Sequence, residues 1–181
     1  MQSYAFINTM TTNNLGESKA LSQAINELKR LYLAENKEKY PSIPDHCRVK
    51  PTIEYKSANG LTKCIIDFIR LNGGQSERIS SEGRVIDTRK TFQNVIGQTV
   101  TTGSIRRIKT SGQRGTADIS ATIKNKSGIG ISVKIEVKIG SDRQSKEQQE
   151  YAESIIRAGG YYVLAPSFDV FLTWYNLTFG E

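Results

Sequence analysis

The chain has 181 residues, a formal charge of +7, and 37% hydrophobic with 8% aromatic residues, which suits one globular domain with a real core rather than a disordered chain. His46 is the sole histidine, which excludes a zinc cluster and a histidine-based nucleophile relay. Any hydrolytic chemistry then runs through carboxylates, lysine and a hard metal.

Residues 1–13 read as a loose terminus. Asn14-Leu-Gly-Glu17 has the spacing of a helix cap, and Leu21, Ala24, Ile25, Leu28, Leu31 and Tyr32 form a helical apolar stripe, for core packing by default or for a partner. The pattern fades through residues 35–39 and ends before Pro41, after which 41–51 reads as a proline-containing linker. Residues 1–56 are thus set apart as an N-terminal helix and linker, with the main domain at 57–181.

A second helix is expected over about 59–72, with Leu61, Cys64, Ile65, Phe68 and Ile69 inward and Gly73-Gly74 as its stop. Residues 75–80 read as a strand and Ser81-Glu82-Gly83 as a turn. Between Arg84 and Arg114, seven basic residues (Arg84, Arg89, Lys90, Arg106, Arg107, Lys109, Arg114) face Asp87 alone, so nearly the whole positive surplus sits in one segment. Such a segment is either a solvated basic loop or a contact for a polyanion. It holds two β-favouring pieces, 84–87 and 104–108, separated by 99–103, consistent with a two-stranded extension.

Next come two strictly alternating stretches. Ala117, Ile119, Ala121 and Ile123 share one face, as do Ile131, Val133, Ile135 and Val137. Asp118 and Glu136 therefore lie on the polar faces, with Ser120, Thr122, Ser132, Lys134 and Lys138. Asn125–Gly130 is a turn, and positions 118 and 136 are symmetric about Ser127, so an antiparallel hairpin centred there opposes the two acids directly. Like charges so placed repel unless a cation lies between them, and oxygen ligands favour a hard ion, Mg2+ or Mn2+. Phosphodiester hydrolysis needs oxygens to hold such an ion and a positive group beside it, and Lys138 supplies the latter. In the alternative reading these acids are ordinary surface residues, neutralised by Lys134 and Lys138. Downstream, Ser145-Lys-Glu-Gln148 is a capping box opening an apolar helix through Tyr151, Ala152, Ile155 and Ile156. A buried strand, 161–165, and a last helix from Ser167 carrying Phe168, Phe171, Leu172 and Tyr175 complete the chain.

Asp118, then Glu136-Val137-Lys138, then Ser145-x-x-Gln148, with Gly115 three residues before the aspartate, resembles the virus-type replication-repair nuclease (VRR-NUC) branch of the PD-(D/E)xK nucleases. The resemblance is close over about 115–165 and looser back to residue 59. It implies an α/β restriction-endonuclease-like core, a mixed sheet flanked by helices, with an extra helix at the N-terminus, and a phage or mobile-element origin. By that likeness Asp118 and Glu136 hold Mg2+ or Mn2+ with the Val137 carbonyl as a further ligand. Lys138 positions water or steadies charge, and Gln148 assists. Arg78, which with Gly83 resembles the Arg…Gly pair after the first core strand and either contacts phosphate or braces the sheet, joins Arg84, Arg106, Arg107, Lys109, Arg114 and Ser145 as expected DNA contacts.

This chain departs from the family pattern at the first core helix, where 57–61 hold no carboxylate. Asn59, Glu17 or Glu27 are the substitutes, unless Asn59 simply caps its helix. Ala117 stands where a proline usually precedes the motif aspartate.

The expected function is a metal-dependent DNA endonuclease, structure-selective in one version. The other readings are a catalytically silent DNA-binding module and a dimeric junction resolvase, with the oligomeric state left open. No apolar run of membrane-spanning length occurs, since Tyr161–Tyr175 is broken by Pro166 and Asp169. No leader is expected, and Cys47 and Cys64 are expected as reduced thiols in a bacterial or phage-infected host cytosol.

Overall fold

A computed structural model describes residues 14–79, 83–108 and 113–180. The first thirteen residues, Ser80 to Glu82 of the expected strand end and turn, and Lys109 lie outside the described residues.

Four strands form the main sheet in the order β1 (Gln75–Arg78), β6 (Ile119–Lys124), β7 (Gly130–Val137), β8 (Tyr161–Ala165). The first two pairings are antiparallel. β7 and β8 run parallel, which requires a crossover, and helix α3 (Lys146–Arg157) supplies it. The architecture is therefore mixed α/β, with helices on both faces of a mixed sheet.

Alternation sorts the two faces. Ile119, Ala121, Ile123, Val133, Ile135, Val137, Val163 and Ala165 face a core made with α1 (Asn14–Lys39), α2 (Ala58–Leu71) and α4 (Phe168–Phe179). Phe68 of α2 meets Phe168, Phe171 and Tyr175 of α4 edge-to-face, at centroid distances of 5.0–6.1 Å. On the other face Tyr162 and Leu164 pack beneath Tyr151, Ala152, Ile155 and Ile156 of α3. Ala117 joins this smaller cluster rather than the face of Ile119, because β6 begins only at Ile119 and the chain bends just before it.

The α1 stripe is core: Ala24, Ile25 and Leu28 are buried, with Leu21, Leu31 and Tyr32 packed alongside, so this helix shares the main core. Its Tyr32 hydroxyl bonds Asp67 of α2. Ser57, not Asn59, caps α2: its hydroxyl accepts from the Gly60 N–H at 3.0 Å, and Asn59 falls inside the first turn. Cys47 is exposed and Cys64 buried, both free. Burial in first place, with Asp67 and Glu54 nearby, pushes the Cys64 thiol up to about 11.

The basic segment folds as one long antiparallel arm of four short strands. β2 (Arg84–Asp87) pairs with β5 (Ile105–Ile108), and β3 (Lys90–Gln93) with β4 (Thr99–Thr102), in a single continuous register. Residues 99–102, expected to separate two pieces, are themselves a strand, as their β-branched Thr-Val-Thr-Thr composition favours. The ladder is interrupted where Gly103 takes a φ of +95°. There the Thr88 N–H and hydroxyl both donate to the Ser104 carbonyl. No helix of the described residues is long and apolar enough to cross a membrane.

Candidate metal site at the end of the sheet

The β6–β7 hairpin has the expected centre. Asn125 organises the turn, its side-chain oxygen accepting from the Ser127 and Ile129 N–H groups at 3.0 and 2.9 Å. The pairs Ile119↔Ile135 and Ser120↔Lys134 follow. This register carries Asp118 to the position opposite Glu136, one residue beyond the last paired residue of β6. Asp118 finishes the ladder with its side chain: Oδ2 accepts the Val137 N–H at 2.9 Å, while its backbone carbonyl accepts the Ile79 N–H at 2.8 Å. Among the described residues no protein donor bonds Oδ1.

Glu136 is only 2% exposed, an extreme burial for a carboxylate. Three groups surround it. The Gln148 side-chain amide donates to Oε1 at 2.5 Å, the Lys138 ammonium lies 3.2 Å from the same oxygen, and the Tyr162 hydroxyl is 3.5 Å from Oε2. Burial first, then the charge of Asp118, raise the Glu136 pKa above the usual carboxylate value, outweighing Lys138 and Tyr162. Lys138, its side chain 15% exposed, also reaches Asp142 at 3.2 Å. Its burial alone would lower the ammonium pKa, but Glu136 and Asp142 reverse that and raise it. Lys138 thus pairs with both Glu136 and the exposed Asp142, while Asp118 sets a further negative charge near Glu136.

Gln148 holds both roles that its sequence position allows. Its carbonyl oxygen accepts the Ser145 N–H at 2.9 Å and its own N–H donates to the Ser145 hydroxyl at 3.3 Å, a complete capping box. The amide nitrogen, with its orientation fixed by that box, points at Glu136. The two functions separate by substitution. Ser145→Ala removes only the cap and is expected to lower stability by about 1 kcal/mol. Gln148→Ala keeps the Ser145 hydroxyl cap, whose donor is the Gln148 backbone, and removes the bond from the Ser145 N–H together with the Glu136 contact, so any site activity should fall further than in Ser145→Ala. Equal activities in the two variants would deny Gln148 a role beyond its helix.

Gly115 shows how the loop before Asp118 is seated. At φ +74° it packs on the start of α3, where a Cβ would collide with the Glu147 backbone and lie 2.7 Å from the Gln148 nitrogen. Gly115→Ala is expected to destabilise the protein by about 1–3 kcal/mol, seen as a lower denaturation midpoint, because both the left-handed backbone and the contact are lost.

The residues expected from the sequence fall into three groups. Asp118, Glu136, Lys138 and Gln148 converge. Lys134, expected beside Glu136 in the salt-bridge reading, instead donates to Ser120 at 2.6 Å. Arg78 is exposed opposite Ile119, so the pleat sets it on the face away from Asp118. Arg114 sits near Glu147 at the start of α3, and exposed Arg106 and Arg107 lie on the arm. Arg84 begins β2, and the placement of its side chain, like Lys109 as a whole, lies outside the described residues.

Among the described residues, no set of three or more histidines, cysteines or carboxylates is grouped to hold a metal. Of the substitutes for the missing helix carboxylate, Asn59 is exposed on α2, Glu27 is engaged by Arg30 at 2.6 Å, and the Glu17 side chain lies outside the described residues. Glu54 does reach the first turn of α2, but it is spent there. Its carboxylate accepts from the N–H groups of Lys56 and Ser57 and from the Ser57 hydroxyl, which hold its pKa below the ordinary value.

Sequence reasoning missed Tyr162, Gln144 and Asp142. Gln144 donates to the Tyr162 hydroxyl at 3.3 Å, extending the network behind Glu136. Tyr162 reaches the site through the parallel β7–β8 register, Lys134↔Tyr162, which no local pattern encodes. Asp142 follows Lys138 by four residues in a loop, where spacing carries no orientation. No family model, no curated protein and no solved structure matches this chain.

Proposed function

We propose that this chain is a metal-dependent endonuclease that hydrolyses DNA phosphodiester bonds on a restriction-endonuclease-like core. The observation that carries the reading is the convergence of buried Glu136 with Asp118 at one sheet end, with Lys138 paired to Glu136. The donor set fits Mg2+ or Mn2+. Asp118 and Glu136 supply hard oxygens, the Val137 carbonyl is the adjacent candidate, and such ions commonly take one or two carboxylates and fill the remainder with water and phosphate oxygens. When bound, the ion supplies charge neutralisation at the scissile phosphate.

The protein's own groups have distinct tasks. Asp118 is oriented by the Val137 N–H, which ties one carboxylate oxygen to the strand and leaves the other for a ligand. Gln148 positions Glu136 by a hydrogen bond to Oε1. Lys138 carries a positive charge at neutral pH and stands at the edge of the acids. There its ammonium hydrogen-bonds the attacking water or stabilises the negative charge growing on the phosphoryl oxygens. The basic arm supplies the attraction for a polyanion.

The test is incubation of supercoiled plasmid and of branched DNA with Mg2+ or Mn2+, alongside Asp118→Ala and Lys138→Ala. Nicking that depends on the metal and falls in both variants supports the assignment, and cutting that persists unchanged in both rejects it. A second reading, a DNA-binding module without chemistry, draws support from the lack of a third metal-ligating carboxylate among the described residues and from the ion pairs that occupy Lys138. It predicts salt-sensitive binding and no nicking in any metal.

A further inference from the structure

The arm over residues 84–108 belongs to none of the packed layers. Its strands pair with each other and with no strand of the main sheet among the described residues. A two-stranded ribbon by itself is marginal in water, and this one exposes Val85, Phe92, Ile105 and Ile108 along its length. At its tip, in the turn joining β3 and β4, Ile96 is 73% exposed and Val95 fully so. Its charge is one-sided. Arg84, Arg89, Lys90, Arg106 and Arg107 are opposed only by Asp87, which Arg89 already binds at 2.8 Å.

We propose that this arm grips duplex DNA, its strands lying in a groove and Val95-Ile96 wedging into a base step to bend the helix. The inference rests on the nuclease reading for its substrate and deepens it, naming double-stranded DNA as the partner and the arm as the element that engages it. Three observations carry it. A two-stranded ribbon is an element that enters a DNA groove, major or minor. Neighbouring residues on a strand project to opposite faces, so Arg106 and Arg107 offer one guanidinium to each side, and a ribbon within a groove has a phosphate wall on each side. An uncovered aliphatic pair at a protruding basic tip has the chemistry of a side-chain wedge, which unstacks a base step and kinks the duplex. A second copy of the arm is disfavoured as the occupant, because it would bring the same positive charge.

Along the chain this segment falls between Ile79 and Asp118, whose N–H and carbonyl bond each other at 2.8 Å. With about 3.3 Å per residue, the twelve steps from Arg84 to Ile96 give the arm a reach of up to about 40 Å, near one turn of duplex.

The experiment uses the full chain in EDTA, where binding is measured without cleavage. The probes are 30-base-pair duplexes, end-labelled for energy transfer or carrying 2-aminopurine at successive steps. The unaltered protein should bring the ends together and raise 2-aminopurine fluorescence. Val95→Ser with Ile96→Ser should keep affinity within about threefold while losing bending and unstacking. Arg106→Gln with Arg107→Gln should weaken binding roughly tenfold or more and reduce the slope of log affinity against log salt by about two. Both variants alter only exposed positions and should melt like the unaltered protein. Bending that survives the tip change, affinity indifferent to the arginine change, or a dimer that the tip change dissociates would each overturn the proposal. Absence of cleavage with bending intact would instead count against the nuclease reading alone.

Discussion

Lys138→Ala is expected to slow metal-dependent nicking by about 10²–10³-fold, the loss that follows removal of one group stabilising developing charge. The ammonium is 3.2 Å from a carboxylate that is itself almost wholly buried, so solvent cannot replace it at comparable geometry. Asp118→Ala should lose at least as much, since it removes a proposed ligand and also the acceptor for the Val137 N–H at the end of the β6–β7 ladder. The variants differ in what survives. Lys138→Ala keeps both acids and should still bind Mn2+, whereas Asp118→Ala should not. Cleavage rates paired with calorimetric Mn2+ titration separate the two. A Lys138→Ala protein that cuts at the original rate would remove lysine from the chemistry. Circular dichroism melts guard against simple unfolding, because withdrawing Lys138 leaves Glu136 with less compensation.

Glu136→Gln is expected to raise the melting temperature of the metal-free protein at neutral pH and to abolish its stabilisation by Mn2+. Burial and Asp118 raise the pKa of Glu136, so the folded protein holds this proton more tightly than the unfolded chain. The sign follows by linkage. Glu136's contribution to stability is fully retained below its unfolded value, 4.5, and is lost as pH climbs from there through the higher folded value. A neutral amide of similar shape avoids that loss. In the unaltered protein a divalent cation should act in the opposite direction, displacing the proton and gaining affinity as pH rises through the same window. At a hundredfold excess over its Kd, Mn2+ should add about 2.7 kcal/mol, or roughly 5–10 °C for a chain of this size. Thermal melts between pH 5 and 8, with and without Mn2+, decide it. If Mn2+ stabilised Glu136→Gln as much as the unaltered protein, the ion would be bound elsewhere.

Much of this geometry was legible because it is local. The 2.0-residue period of 117–123 and 131–137, together with a turn centred on Ser127, determines which residues face each other across a hairpin, and Asp118 and Glu136 follow from that arithmetic. The Ser145–Gln148 box was readable for the same reason, since both of its hydrogen bonds close within four residues. Even the α1 stripe announced its burial through helical spacing alone. Where a residue's partner lies in a distant segment, the pattern carried no address. Alternation puts Ala117 with Ile119 because it cannot tell where a strand begins, and same-face spacing pairs Lys134 with Glu136 although its bond goes to Ser120, directly across the ladder.

The order of helices and strands outside the basic arm, the hairpin register and the identity of the paired acids were therefore written into the chain, because periodicity and turn chemistry act over a few neighbouring residues. Tertiary packing alone decided that Glu136 would be sealed from water, that Tyr162 and Gln144 would stand behind it, and that Arg78 would face away. The first two depend on the parallel β7–β8 register and on α3 crossing one face of the sheet, and the third on the β1–β6 pairing, so burial and charge are set by segments far apart in sequence.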